Sequence, residues 1–134
     1  MFGSFANRAS AYAQVGIETG VATADPHKLI LMLFDGAILS IAAAAAAMDG
    51  KDIPAKGQAV SKAIEIITNG LKASLDRDLG GELVDRLAAL YDYMAERLLY
   101  ANLHNNRAAL DEVSGLLHSL REAWEAIVPE TAPA

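Results

Sequence analysis

Between Lys28 and Asp49 the chain carries a single charged residue, Asp35, and the stretch from Leu29 to Met48 is otherwise apolar except for Gly36 and Ser40. A helix of about 20 residues spans about 30 Å, so such a stretch is either a membrane span or a helix buried in protein. An aspartate near the middle of a span costs roughly 3 kcal/mol, and a weakly hydrophobic alanine run such as Ala42–Ala47 offsets little of it. The stretch therefore reads as the central helix of a soluble core, with no membrane insertion. Asp25 can cap the free N–H groups and Pro26 fits the first turn, which starts the helix there; Asp49-Gly50 ends it. Ile30, Leu33, Phe34, Ala37, Ile41 and Ala45 form one stripe, and Leu29, Met32 and Leu39 widen it beyond one face.

A helix this apolar needs partners, and the rest of the chain supplies three. Asp52-Ile53-Pro54 signals a second start, and Val60, Ile64, Ile67, Leu71 and Leu75 recur at helical steps, which predicts a helix over 54–75. Gly80-Gly81 breaks the chain. A third helix follows over 82–105, with Leu83, Leu87, Leu90, Met94, Leu98 and Ala101 as its seam and Tyr91, Leu99 and Tyr100 off it. After Asn105-Asn106, the series Leu110, Val113, Leu117, Leu120, Trp124 and Ile127 alternates steps of three and four and predicts a helix to about Val128. Long helices joined by short turns pack most economically as an antiparallel up-down-up-down four-helix bundle, an all-α fold. The expected organisation is an extended, flexible N-terminal arm over 1–24, the bundle over 25–128 and a disordered tail over 129–134.

The formal net charge is -6, and it is unevenly spread: residues 1–75 balance six acids with six bases, whereas 76–134 hold eleven acids against five bases. Such a chain repels phosphate backbones and anionic lipid surfaces, so no nucleic-acid partner is expected. The absence of cysteine excludes a disulfide framework and fits a reducing compartment. Residues 1–8 show no basic region followed by an apolar run, so a cytoplasmic location is expected.

Chemistry finds no foothold. No Glu is followed three residues later by His, as a di-metal bundle requires, and His27, His104 and His118 form no His-x-x-x-His pair. Neither a metal nor a cofactor is expected. A phosphoryl-accepting role for His118 is disfavoured by Glu122 four residues on, and Gly80-Gly81 lacks the Lys-Ser/Thr of a phosphate loop. Asp92 and Glu96 read as a solvated face. What remains is an excess of apolar surface. It fits either ordinary exposed apolar residues or a groove for partner helices or a second copy of the chain, a homodimer. Taken alone, the residues specify a helical interaction module and not an enzyme.

Several blocks carry a resemblance. Tyr12, Val15 and Glu18-Thr19 precede Asp25-Pro26-His27-Lys28-Leu29-Ile30-Leu31-Met32-Leu33-Phe34-Asp35-Gly36-Ala37. Leu71–Asp76, Gly80-Gly81-Glu82 and Leu90-Tyr91-Asp92-Tyr93-Met94 come next, continued by Leu98 and Ala101-Asn102, and Leu117 to Trp124 closes the series. In this order the blocks resemble the FliS family of flagellin export chaperones, with Phe34 standing where that family often has tyrosine. The resemblance implies a bundle that holds the C-terminal segment of unpolymerised flagellin, blocks premature filament assembly and delivers flagellin to the flagellar export gate. It also implies partner-binding roles for Tyr12, Met32, Leu33, Tyr91, Tyr93, Leu98 and Asn102.

Overall fold

The structure, a computed structural model, describes residues 25–76, 78 and 80–127. The expected arm over 1–24 and tail over 129–134 lie outside the described residues. Within them the chain is all-helical, with four helices and no strand. Helix α1 spans Pro26–Asp49, and the Asp25 carboxylate accepts the Lys28 N–H at 2.8 Å to start it. Helix α2 spans Ile53–Glu65 and is capped in the same way by Asp52, which accepts the Ala55 N–H.

The expectation of one continuous helix to Leu75 requires correction. After Glu65 the backbone widens into a π-type segment, Ile66–Leu71, and then tightens into a 3-10 turn, Lys72–Ser74. Thr68, Asn69 and Gly70 are weak helix formers, and Gly70 lies under Leu33 of α1, where a Cβ would sit 3.1 Å from Leu33 Cδ2. The wide turn still buries Ile66, Ile67, Gly70 and Leu71.

Helix α3 spans Glu82–His104 and stops at Asn105, whose φ of 49° is a left-handed conformation that asparagine tolerates. Helix α4 spans Arg107–Ala126, and the Asn106 side chain accepts the Ala109 N–H at 2.9 Å. An Asn106→Ala variant is expected to lose about 1 kcal/mol, the worth of such a cap, read as a lower midpoint in urea melts followed by circular dichroism. An unchanged midpoint would show that this cap contributes nothing.

α1 has α2 and α4 as neighbours, and α3 has the same two; the backbones of α1 and α3 do not approach each other. The core lies between them. It takes the whole predicted stripe of α1 (Ile30, Leu33, Phe34, Ala37, Ile41 and Ala45), with Val60, Ile67 and Leu71, Met94 and Leu98, and Leu110, Val113 and Leu117. α1 is the only helix among the described residues long and apolar enough to cross a membrane, and a whole face of it is buried here as a core helix.

The predicted seam of α3 is buried at Met94, Leu98 and Ala101, packs half-buried against the core at Leu87 and Leu90, and fails at Leu83. Leu83 is 70% exposed, whereas Tyr91, expected off the seam, is 5% exposed. The wide segment and 3-10 turn after α2 pack against α3 and draw its Ala88–Tyr91 side inward. At the far end of α4, Ile127 is 52% exposed. Trp124, one turn earlier on that seam, has its partner on α1. Its ring stacks on His27 at 5.1 Å, its Nε1–H donates to the His27 carbonyl, and His27 Nε2 lies 2.7 Å from the Trp124 carbonyl.

Candidate functional site

Burial of one side of α1 leaves the other side bare. Met32, Leu39, Ala43 and Ala46 follow one another at seven-, four- and three-residue steps and so share one face. Met32 is half-buried, Leu39 is 69% exposed, and Ala42, Ala43 and Ala46 are exposed. From Gly36 to Met48 no side chain can ionise. The one charge close by is Asp35, and α4 answers it: Arg121 Nε donates to Asp35 Oδ1 at 2.6 Å and Nη2 to Oδ2 at 3.4 Å. Arg121 Nη1 also reaches Glu125, one turn further along α4.

α3 presents a second face of different chemistry. Tyr93, Arg97, Tyr100 and His104 follow at helical steps. The Tyr93 hydroxyl donates to Glu112 Oε2 of α4 at 2.6 Å, and Arg97 Nε donates to Glu112 Oε1 at 2.8 Å. The Arg97 guanidinium lies 4.7 Å over the Tyr100 ring, and that ring meets His104. The Tyr93 hydroxyl, then Arg97, hold the Glu112 carboxyl below the usual carboxylate range, and the same bond pushes the Tyr93 phenol up. The Tyr93 ring, 40% exposed, is thus held at the surface by its hydroxyl rather than by burial. Leu99 and Leu103 are exposed further round the helix.

The residues singled out by the resemblance divide accordingly. Tyr12 lies outside the described residues. Leu33, Tyr91 and Leu98 come together, but in the core, where burial pushes the Tyr91 phenol up to about 12. Met32 and Tyr93 reach the surface on helices that stand across the core from each other. Asn102 is half-buried; its carbonyl accepts from Lys56 Nζ, and its Oδ1 is buried without a hydrogen-bond partner. The end of α3 is closed by Asn105, whose N–H binds the Ala101 carbonyl.

Leu39 reads in the sequence only as a residue widening the stripe; its seven-residue spacing from Met32 puts the two on one face, and the run without ionisable side chains begins just before it, at Gly36. The Arg121–Asp35 pair has no signal in the sequence, because it depends on the relative register of α1 and α4. Among the described residues no three His, Asp or Glu side chains gather to hold a metal. What the surface offers is apolar and aromatic area suited to another polypeptide.

Comparison with known proteins fits that chemistry. The family described as Flagellar protein FliS matches residues 8–131. The flagellar secretion chaperone FliS of Salmonella typhimurium is 52% identical over 122 residues, covering 91% of this chain and 90% of the relative. FliSB of Pseudomonas aeruginosa, also a flagellar secretion chaperone, is 46% identical over 87% of this chain and 91% of its own length. The Bacillus subtilis FliS is 38% identical over 81% of this chain and 79% of its own length. The chain belongs to the FliS family.

Proposed function

We propose that this member of the FliS family is a cytoplasmic export chaperone rather than an enzyme. In this reading it binds the C-terminal segment of unpolymerised flagellin, prevents premature filament assembly and delivers flagellin to the flagellar export gate. The observation that carries the reading is the outer face of α1, which is apolar, exposed and free of ionisable side chains for more than three turns. An amphipathic segment that is disordered alone can fold as it lays its apolar side along such a face. No chemistry is needed for release, since a partner held by apolar contact leaves when another surface covers it.

The arrangement that goes with this function is the antiparallel up-down-up-down bundle. Its support is the pairing of helix ends: Asp49 at the end of α1 binds Arg107 at the start of α4, while His27 at the start of α1 clasps Trp124 at the end of α4. Lys56 near the start of α2 reaches Asn102 and Asn105 at the end of α3, and Lys72 beyond α2 reaches Asp92.

The test is calorimetric titration of the purified chain with the flagellin C-terminal segment. Leu39→Glu sets a carboxylate on the uncharged face and is expected to weaken binding by about 2 kcal/mol or more, as loss of a central contact does. Its exposure predicts an unchanged fold by circular dichroism. Tyr93→Ala in the same series is expected to cost about 1–3 kcal/mol, the range of an aromatic anchor. Unchanged affinity in a folded Leu39→Glu protein would remove α1 from the site, and unchanged affinity in Tyr93→Ala would remove α3.

A further inference from the structure

Asp35 sits where a docking face can least accommodate it. It is the only ionisable residue between Lys28 and Asp49, and it lies one turn from Met32 and one turn from Leu39, on the exposed side of α1. Its side chain is 49% exposed, so it borders the region that a bound segment would cover. A carboxylate stripped of water without a partner opposes binding strongly.

The partner comes from another helix. Arg121 contributes two N–H donors, at 2.6 Å and 3.4 Å, one to each oxygen of Asp35, and its own side chain is only 26% exposed. A guanidinium is well suited to this two-point grip. It is also the less hydrated cation, so the pair can be covered by apolar surface at lower cost than a lysine pair. Glu125 takes a third donor of the same guanidinium at 3.3 Å and orients it from its solvent side.

We infer that Arg121 is a positioning residue for cargo. By satisfying Asp35 from α4, it keeps the outer face of α1 effectively uncharged and sets its preference for segments with an apolar side. The inference rests on α1 being the docking face. It differs from a purely structural role for the pair, in which Arg121 merely ties α4 to α1. The two roles part company in a double variant. Arg121→Gln leaves Asp35 charged and unmatched. Asp35→Asn with Arg121→Gln breaks the same tie but leaves no charge to be covered.

The experiment titrates the flagellin C-terminal segment into full-length wild type, Arg121→Gln, the double variant and Leu39→Glu, with thermal melts of each. Arg121→Gln is expected to bind about five- to a hundredfold more weakly, the penalty for leaving a buried acceptor unsatisfied. The double variant is expected to return to within about threefold of wild type while melting no higher than Arg121→Gln, since small differences of that size mark loss of only a minor contact. If the double variant binds as weakly as Arg121→Gln, the pair is structural and the inference is overturned. It is also overturned if Arg121→Gln binds like wild type while Leu39→Glu is weakened, and the docking face then stands without it. If Leu39→Glu binds like wild type, the docking face itself fails and takes the inference with it.

Discussion

Leu117→Ala is expected to cost about 2–5 kcal/mol, a substantial part of a small domain's total stability. Leu117 is fully buried and lies on α4 between Val113, also fully buried, and the half-buried Leu120. Truncating its isobutyl group to a methyl leaves a void that helices tied at both ends cannot collapse to fill. Trp124 is the only tryptophan. Because it stacks on His27 and donates to the His27 carbonyl, its fluorescence reports separation of α1 from α4. Denaturant titration followed at Trp124 checks the value. A loss under about 0.5 kcal/mol would mean that this face of α4 is not packed as described.

The second large effect belongs to a residue that no pattern flagged. Lys56 is 6% exposed, and its ammonium has no carboxylate partner among the described residues. It donates instead to the Asn102 carbonyl at 2.9 Å and to the Asn105 side chain at 2.5 Å, both at the C-terminal end of α3. The last carbonyls of a helix lack intrahelical partners and carry the negative end of its dipole, so a buried ammonium is stabilised there without a formal ion pair. Lys56→Met keeps the length of the side chain and relieves the burial of charge, but forfeits both bonds and strands a carbonyl. The net loss is expected to be about 1–3 kcal/mol. Asn105→Gly removes only the side-chain half of the arrangement and suits the left-handed backbone at that position, so it should cost less. Equal losses in urea melts of the two variants would show that Lys56 does not act through the end of α3.

The contrast between Lys56 and the α1 stripe explains what was legible in the sequence. Every residue of the predicted stripe, Ile30 through Ala45, is buried, because a helix must turn its apolar side inward whichever partner it finds. Starts marked by Asp-Pro, Asp-x-Pro and Asn were legible for the same local reason, since each cap acts within three residues of itself. Features that depend on how one helix sits against another were not. The inward turn of Tyr91, the exposure of Leu83 and the burial of Lys56 follow from the wide segment after α2 and from register across helices.

The site shows the same division. Of the six residues that the family blocks single out on α1 and α3, three are ones that hold the bundle together. Leu33, Tyr91 and Leu98 support the two faces from within, while Met32 and Tyr93 meet the surface.

In the proposed function the chain holds flagellin by its C-terminal segment. The most direct measurement is titration of the purified full-length chain with monomeric flagellin, with flagellin lacking its C-terminal segment, and with that segment alone. Saturable binding of intact flagellin and of the isolated segment is expected, with a negative heat-capacity change from apolar burial, and no binding of the truncated protein. Equal binding of truncated and intact flagellin, or no binding of the isolated segment, would contradict the proposed function.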